Sequence, residues 1–255
     1  MLVERDKIVE YCSKKLKVDE FNDLCWNGLQ IEGTAKVNKI VTAVSLSEEV
    51  IKAAIKKKAQ MIMVHHGITR FHFGNQPRIR TFLKKRLRLI LENNINLCGF
   101  HLPLDAHPEF GNNAHIIKLL GVKQWKILDD GQYGEILFVG KLEKSMKRDE
   151  FISLVDLSLN TSTTSILAGP EKIEIIGVVS GAGSDDFKIA YENEARTFIT
   201  GELREHNVWE AREMGVNLIG AGHYNTEVFG IKNLGSLIAK EFNIKAEFVD
   251  TPCEI

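Results

Sequence analysis

The chain has 255 residues, with 33 Lys and Arg against 34 Asp and Glu and a formal net charge of -1. Hydrophobic residues make up 44% and charged residues 26%, a globular balance that excludes a disordered tail, a collagen-like rod and a chain coated in positive charge for duplex DNA. That length fits one large domain or two intimate ones.

The spacing of Ile8, Val9, Cys12 and Leu16 predicts an amphipathic helix over 4–17, followed by a loop at Trp26-Asn-Gly-Leu-Gln30. Lys39-Ile-Val-Thr-Ala-Val-Ser45 reads as a buried strand. Ser45-Leu-Ser-Glu48 fits the S-x-x-E capping pattern and predicts a helix over about 48–58. The next strand, Ala59-Gln-Met-Ile-Met-Val64, runs into His65-His66-Gly67. A basic helix is expected over about 77–93, then a strand at Ile95-Asn-Leu-Cys-Gly-Phe100 and a loop at His101-Leu-Pro-Leu-Asp105. Gly111-Asn-Asn113 opens a further helix that stops near Gly121. Strands alternating with helices predict an α/β fold with parallel pairing. No apolar run approaches the roughly 18 residues of a membrane span. The charged start of the chain predicts no secretory signal. Four cysteines (Cys12, Cys25, Cys98, Cys253) lie far apart, so they are expected to be reduced, mostly buried apolar groups in a cytoplasmic protein.

The second half echoes the first. Ile175-Ile-Gly-Val-Val-Ser180 matches Ile40-Val-Thr-Ala-Val-Ser45, and Ala195-Arg-Thr-Phe-Ile-Thr200 matches Ala59-Gln-Met-Ile-Met-Val64. Val216-Asn-Leu-Ile-Gly220 matches Ile95-Asn-Leu-Cys-Gly99. The expectation is an internal duplication: two related α/β half-domains, 1–125 and 126–255, sharing a dinuclear metal site at the carboxyl ends of strands. Residues 126–170 carry their own strand (Glu135-Ile-Leu-Phe-Val-Gly140) and a helix over about 147–159, and read as an insertion or lobe.

The histidines sit where α/β sheets collect ligands. His65 and His66 end one strand. His101 and Asp105 follow a second, and His223 and Glu227 follow a third. Imidazole and carboxylate together suit zinc, iron, manganese, nickel or cobalt. Adjacent histidines at a strand end tend to point apart, so two metals could take one each, with Asp105 or Glu227 bridging. Paired metals about 3.5–4 Å apart can clamp both the attacking and the leaving oxygen in hydrolysis. Each pair alone has a plainer structural reading; the three together at strand ends favour a metal centre.

Val64-His-His-Gly67, His101-Leu-Pro-Leu-Asp-Ala-His-Pro108 with Gly111-Asn-Asn113, and Gly220-Ala-Gly-His-Tyr-Asn-Thr-Glu-Val-Phe-Gly230 resemble the YbgI / Nif-three-like dinuclear-metal family, whose members often carry the label GTP cyclohydrolase 1 type 2 homologue. Trp26-Asn-Gly-Leu-Gln30 is similar to the family's N-terminal segment, although Asp-Asn is commoner there than Trp-Asn. Thr200-Gly-Glu202 and Phe248-Val-Asp-Thr-Pro252 resemble its TGE segment and its closing strand. The resemblance implies a two-domain fold assembled as a toroidal homohexamer, with two divalent metals per subunit held by His65, His66, Asp105, His223 and Glu227. Glu227 is then the bridging candidate, and His101 a ligand or a proton shuttle beside the site. It also implies a water activated by the metals and a proton relayed by His101 to the leaving group, which suits a nucleotide-like or phosphorylated small molecule. The competing class is a non-enzymatic ring that binds single-stranded nucleic acid or a partner protein, with structural or regulatory metals.

The other candidates have bland readings beside the sharp ones. Gly181-Ala-Gly183 could cradle phosphate or be a tight turn. The basic segment Arg78 to Arg88, with Arg80, Lys84, Lys85 and Arg86, is a solvated helix face or a phosphate-attracting surface with only Phe82 for stacking. His72, between Phe71 and Phe73, lines a cleft or serves a lid or subunit contact. His107 and His115 read as structural and Tyr224 as packing beside His223. Glu202 reads as a group supporting the ligands from behind or as a relic of the duplication.

Overall fold

The computed structural model describes residues 2–72 and 78–253. In chain order the first elements are β1 (Val3–Glu4), α1 (Arg5–Leu16), β2 (Gly28–Ile31), β3 (Lys36–Val37), β4 (Lys39–Ser45), α2 (Glu48–Lys56), β5 (Met61–His66), α3 (Thr81–Glu92) and β6 (Asn96–Gly99). There follow α4 (Leu102–Ala106), α5 (Asn112–Leu119), β7 (Val122–Asp129), β8 (Glu135–Lys147), α6 (Arg148–Leu159) and β9 (Thr164–Leu167). The last are β10 (Lys172–Val178), α7 (Phe187–Glu192), β11 (Thr197–Thr200), α8 (Glu205–Met214), β12 (Asn217–Gly220), α9 (His223–Phe242) and β13 (Lys245–Phe248).

These elements form two compact units, and the division differs from the expected cut between 125 and 126. Among the described residues the first unit runs to Leu104 and takes back Gly230–Thr251; the second is Asp105–Phe229 with Pro252 and Cys253. The physical reason lies in what each segment buries. Ala114, Ile116 and Ile117 of α5 join the core of the second unit. β13 returns to the first unit by pairing in parallel with β4. The stretch 126–170 is no separate lobe: β8 pairs with β10 in the second unit's sheet, and Phe151, Val155 and Leu159 of α6 fill its core.

The first unit is built on a five-stranded sheet of order β13-β4-β5-β6-β2, parallel except for β2, which runs antiparallel to β6. Its central strands are buried on both faces, as parallel sheets covered by helices require. Val41, Ala43, Ile62, Val64 and Leu97 pack against Val50, Ile51 and Ala54 of α2 and Ile90 of α3. Ile8, Cys12 and Leu16 form the buried stripe of α1. The cap of α2 is Ser47, whose side chain accepts the Val50 N–H, and not Ser45, which ends β4.

The second unit carries a six-stranded sheet of order β7-β8-β10-β11-β12-β9. β10, β11 and β12 are parallel, and β9 runs antiparallel to β12. Phe138, Ile176, Val178, Ile199 and Ile219 supply the sheet side of its core. Three parallel strands edged by an antiparallel strand from earlier in the chain therefore occur in both sheets, as β4-β5-β6-β2 and β10-β11-β12-β9. The intervening helices also correspond, with α2 and α3 in the first set and α7 and α8 in the second. Among the described residues no helix is long and apolar enough to cross a membrane.

Candidate metal centre

In the first unit the apolar strand β5 ends on both histidines, and His65 is fully buried. The Nδ1 of His65 lies 2.9 Å from the Phe100 carbonyl. A carbonyl only accepts, so Nδ1 carries the proton and Nε2 is the nitrogen with the lone pair. The Nδ1 of His66 sits 3.0 Å from the Ser45 hydroxyl on the neighbouring strand. His101, just beyond β6, places its Nδ1 2.8 Å from Oδ1 of Asp23. The three rings cluster, with centroids 4.6, 5.0 and 5.4 Å apart in pairs. One nitrogen from each lies within 4.8 Å of the others. The expectation that His65 and His66 point apart is thus modified: both belong to one cluster, because each ring leans on a different adjacent strand end.

Sequence reasoning missed Asp23. Its carboxylate is buried and collects the Cys25 N–H at 2.9 Å, the Asn27 amide at 2.9 Å and the Leu102 N–H at 3.0 Å, besides His101. Burial alone would raise its pKa, but the hydrogen bond and charge of His101, with the donors from Cys25 and Asn27, outweigh it and hold the group at about 2. Asn27 also accepts the His101 N–H at 2.8 Å. The pair of Asp23 and Asn27 fixes the imidazole from both ring and backbone.

In the second unit Asp105 lies in α4, a short helix where the sequence suggested a loop. Its Oδ1 accepts from the Asn112 amide at 2.7 Å and the Ser180 hydroxyl at 2.8 Å. His223 opens the 20-residue helix α9, so His223 and Glu227 are one turn apart on one face. The Nε2 of His223 is 3.1 Å from Oε1 of Glu227, whose side chain is 3% exposed. Its Nδ1 is held by Glu202. Glu202, for which the sequence left open a supporting role or a relic, therefore orients a candidate ligand. Burial opposes charge on His223, but the carboxylates of Glu227 and then Glu202 outweigh it and raise its pKa to about 9.

Gly181 closes this half. Its φ is +62°, and a Cβ there would overlap Oε1 of Glu227 and stand 3.2 Å from the His223 Nε2. Its N–H is given to Thr226 Oγ1 at 3.0 Å, and its carbonyl accepts the Gly201 and Glu202 N–H groups at 2.9 Å each. Gly181-Ala-Gly183 is thus a tight turn that lets the backbone pass close to a carboxylate. The N–H of Gly181 is committed within this turn.

These observations test whether the residues suit divalent metals. Each of the four histidines is engaged at Nδ1, by a carbonyl, a hydroxyl or a carboxylate. That is the orientation that metal-binding imidazoles need to ligate through Nε2. Asp105 and Glu227 are buried carboxylates, hard oxygen donors of the kind that divalent cations take. The donor set fits.

The remaining candidates have the following surroundings. His115 stacks on Phe229 at 4.4 Å and His107 on Phe110 at 3.7 Å. Tyr224 is 7% exposed. His72 accepts the Thr69 N–H at 3.0 Å, and its neighbour Phe73 lies outside the described residues. In the basic segment, Lys85 pairs with Glu48 at 2.6 Å, Arg88 with Glu92 at 2.7 Å, and Arg86 lies over Phe82.

Comparison with known proteins bears on the whole chain. The model of the family described as Duf34/NIF3 (NGG1p interacting factor 3) matches residues 3–253. A Haemophilus influenzae protein named "GTP cyclohydrolase 1 type 2 homolog" is 39% identical over 245 residues, 96% of each chain. A Pseudomonas aeruginosa protein of the same name is 35% identical over 253 residues, 99% of each. Among solved structures, protein ybgI, described as of unknown function, superposes with a TM-score of 0.91 at 32% identity, covering 99% of this chain and 100% of that one. A Thermus thermophilus protein gives 0.87 at 30% identity with the same coverage.

Proposed function

This chain belongs to the Duf34/NIF3 (NGG1p interacting factor 3) family, and on that premise we propose that it is a metal-dependent hydrolase of a nucleotide-like or phosphorylated small molecule. The observation that carries the reading is the engagement of Nδ1 in His65, His66, His101 and His223. The residues that would hold two divalent metal ions per chain are His65, His66, Asp105, His223 and Glu227. When bound, such a pair supplies an activated water and positive charge for a developing oxyanion.

The chain's own residues do the rest. Glu202 and the Phe100 carbonyl keep His223 and His65 in one tautomer. Asn112 and Ser180 fix the plane of the Asp105 carboxylate. His101, held by the ionised Asp23, has the orientation and the neighbouring charge of a proton relay, and it would donate to the leaving group. The name carried by the relatives makes GTP a natural first substrate to try. The common strand pattern of the two sheets supports an ancestral duplication. A cytoplasmic homohexamer with toroidal form completes the proposal.

The test is metal content together with hydrolysis. Purified protein should hold two metals per chain, and His65→Ala and Glu227→Ala should each lose at least one. Metal-loaded protein should cleave GTP or a member of a phosphoester panel and stop when chelated. Two metals retained in both variants would remove the ligand assignment. GTP and the whole panel left intact would remove the hydrolase reading.

A further inference from the structure

We propose that Asp185, His206 and Glu210 form a separate site in the second unit for a first-row divalent ion such as zinc. It shares no residue with the ligand set above and does not rest on the hydrolase reading.

His206 and Glu210 are the second and sixth residues of α8, one turn apart on the same face. Asp185 reaches them from the 3-10 turn Ser184–Asp186. One ligand atom from each of the three lies within 4.8 Å of the others. An imidazole with two carboxylates is a donor set for zinc and its neighbours, and incomplete protein coordination leaves positions for water.

The surroundings are built to hold these groups in place. Asn207 is fully buried; its amide donates to Asp185 Oδ1 at 2.9 Å while its carbonyl oxygen accepts the Arg204 N–H at 2.9 Å. Arg204 holds the other Asp185 oxygen at 2.9 Å. Lys188 holds Oε1 of Glu210 at 2.8 Å. The Glu210 side chain is 36% exposed, but its second oxygen, Oε2, is shielded from solvent and has no hydrogen-bond partner among the described residues. A buried carboxylate oxygen lacking a donor is costly, and a cation relieves that cost. The positive end of α8 opposes a cation weakly; two carboxylates in direct contact outweigh it.

His206 Nε2 now sits 2.7 Å from Asp185 Oδ1. Entry of the ion exchanges that hydrogen bond for Nε2 and Oδ1 on one metal, the ring proton moving to Nδ1. The same His-x-x-x-Glu spacing opens α9, and α8 follows β11 as α9 follows β12.

Zinc titration of the metal-stripped full chain by calorimetry tests this. Wild type should bind one more equivalent than the double variant His206→Ala/Glu210→Gln. The variant His65→Ala/Glu227→Ala should keep this equivalent, so failure of the hydrolase centre and failure of this site give different results. Should the double variant misfold, cobalt titration of histidine-labelled wild type decides. The ring signals of His206 should then shift or broaden. Equal zinc stoichiometry and affinity in wild type and the His206→Ala/Glu210→Gln variant would overturn the proposal, as would His206 signals unmoved by excess cobalt.

Discussion

Replacing Gly181 by alanine puts a methyl group where the second unit leaves no room for one. The added Cβ would overlap Oε1 of Glu227 and lie 3.3 Å from its Cδ and 3.2 Å from Nε2 of His223. Two separable costs follow. The backbone has φ +62°, and alanine in that left-handed region costs about 1 kcal/mol. That lowers Tm by about 2–4 °C in a chain of this size. The second cost falls on the metal proposed at Glu227. The obstructing atom is the far end of a side chain, so the carboxylate yields by about 1 Å to restore ordinary contact. Shifting a ligand or its support typically weakens metal affinity about 10–100-fold. Thermal unfolding of chelator-treated protein reads the first cost. Competition against a chromophoric chelator reads the second. A variant that loses the expected Tm but binds metal as tightly as wild type would refute the reasoning: Gly181 would then serve the turn alone, and Glu227 would not be a ligand.

The cysteines divide by burial. Cys25 is pushed up to about 11 and Cys98 to about 12 by desolvation, and Cys12 is raised by the same cause. Cys253 is exposed. A thiol reagent at mild pH should therefore label one cysteine in the native chain and all four after denaturation; fast native labelling of Cys98 would contradict the packing of β6. Burial, with the charges of Asp130 and Asp185, raises the Asp186 carboxyl from 3.8 to about 7. The folded chain then holds a proton that the unfolded chain has lost, so stability falls as pH rises from about 4 to about 7 and stays low above it. About 3 pH units at about 1.36 kcal/mol each, discounted for partial solvent access, give on the order of 2–4 kcal/mol. Asp186→Asn should remove that slope and gain stability at pH 8 in urea unfolding of chelator-treated protein; an unchanged slope would place the titration elsewhere.

What could be read from the sequence was what repeats locally. β4 and the end of β5 follow from runs of apolar residues buried on both faces. β2 and β9 were hidden because they are four-residue edge strands with mixed burial. β7 is half exposed, with its register broken against β8. Helix α9 was hidden by Gly230 and Gly235, poor helix formers in isolation. Gly235 is there for packing: a Cβ on it would come within 3.0 Å of Thr42 Cγ2. Candidate ligands were legible because histidines beside strand ends are few. The groups that orient them were not, since Asp23 is 78 residues from His101 and Glu202 is 21 from His223. No local pattern encodes a pairing across such distances.

The orienting groups also bear on the proposed duplication. His101 follows β6 and His223 follows β12, corresponding places in the two strand patterns. Each has its Nδ1 held by a carboxylate. The carboxylates come from unrelated places: Asp23 precedes the edge strand β2, whereas Glu202 follows β11, where the first pattern has His65 and His66. Inheritance from one ancestral unit would put the orienting acid at one position in both. Two different positions reaching the same contact indicate that the contact itself was needed twice. An imidazole fixed in one tautomer is what a metal ligand or a proton relay requires. Glu202 is thus better explained by its work on His223 than as a remnant of the His65–His66 place.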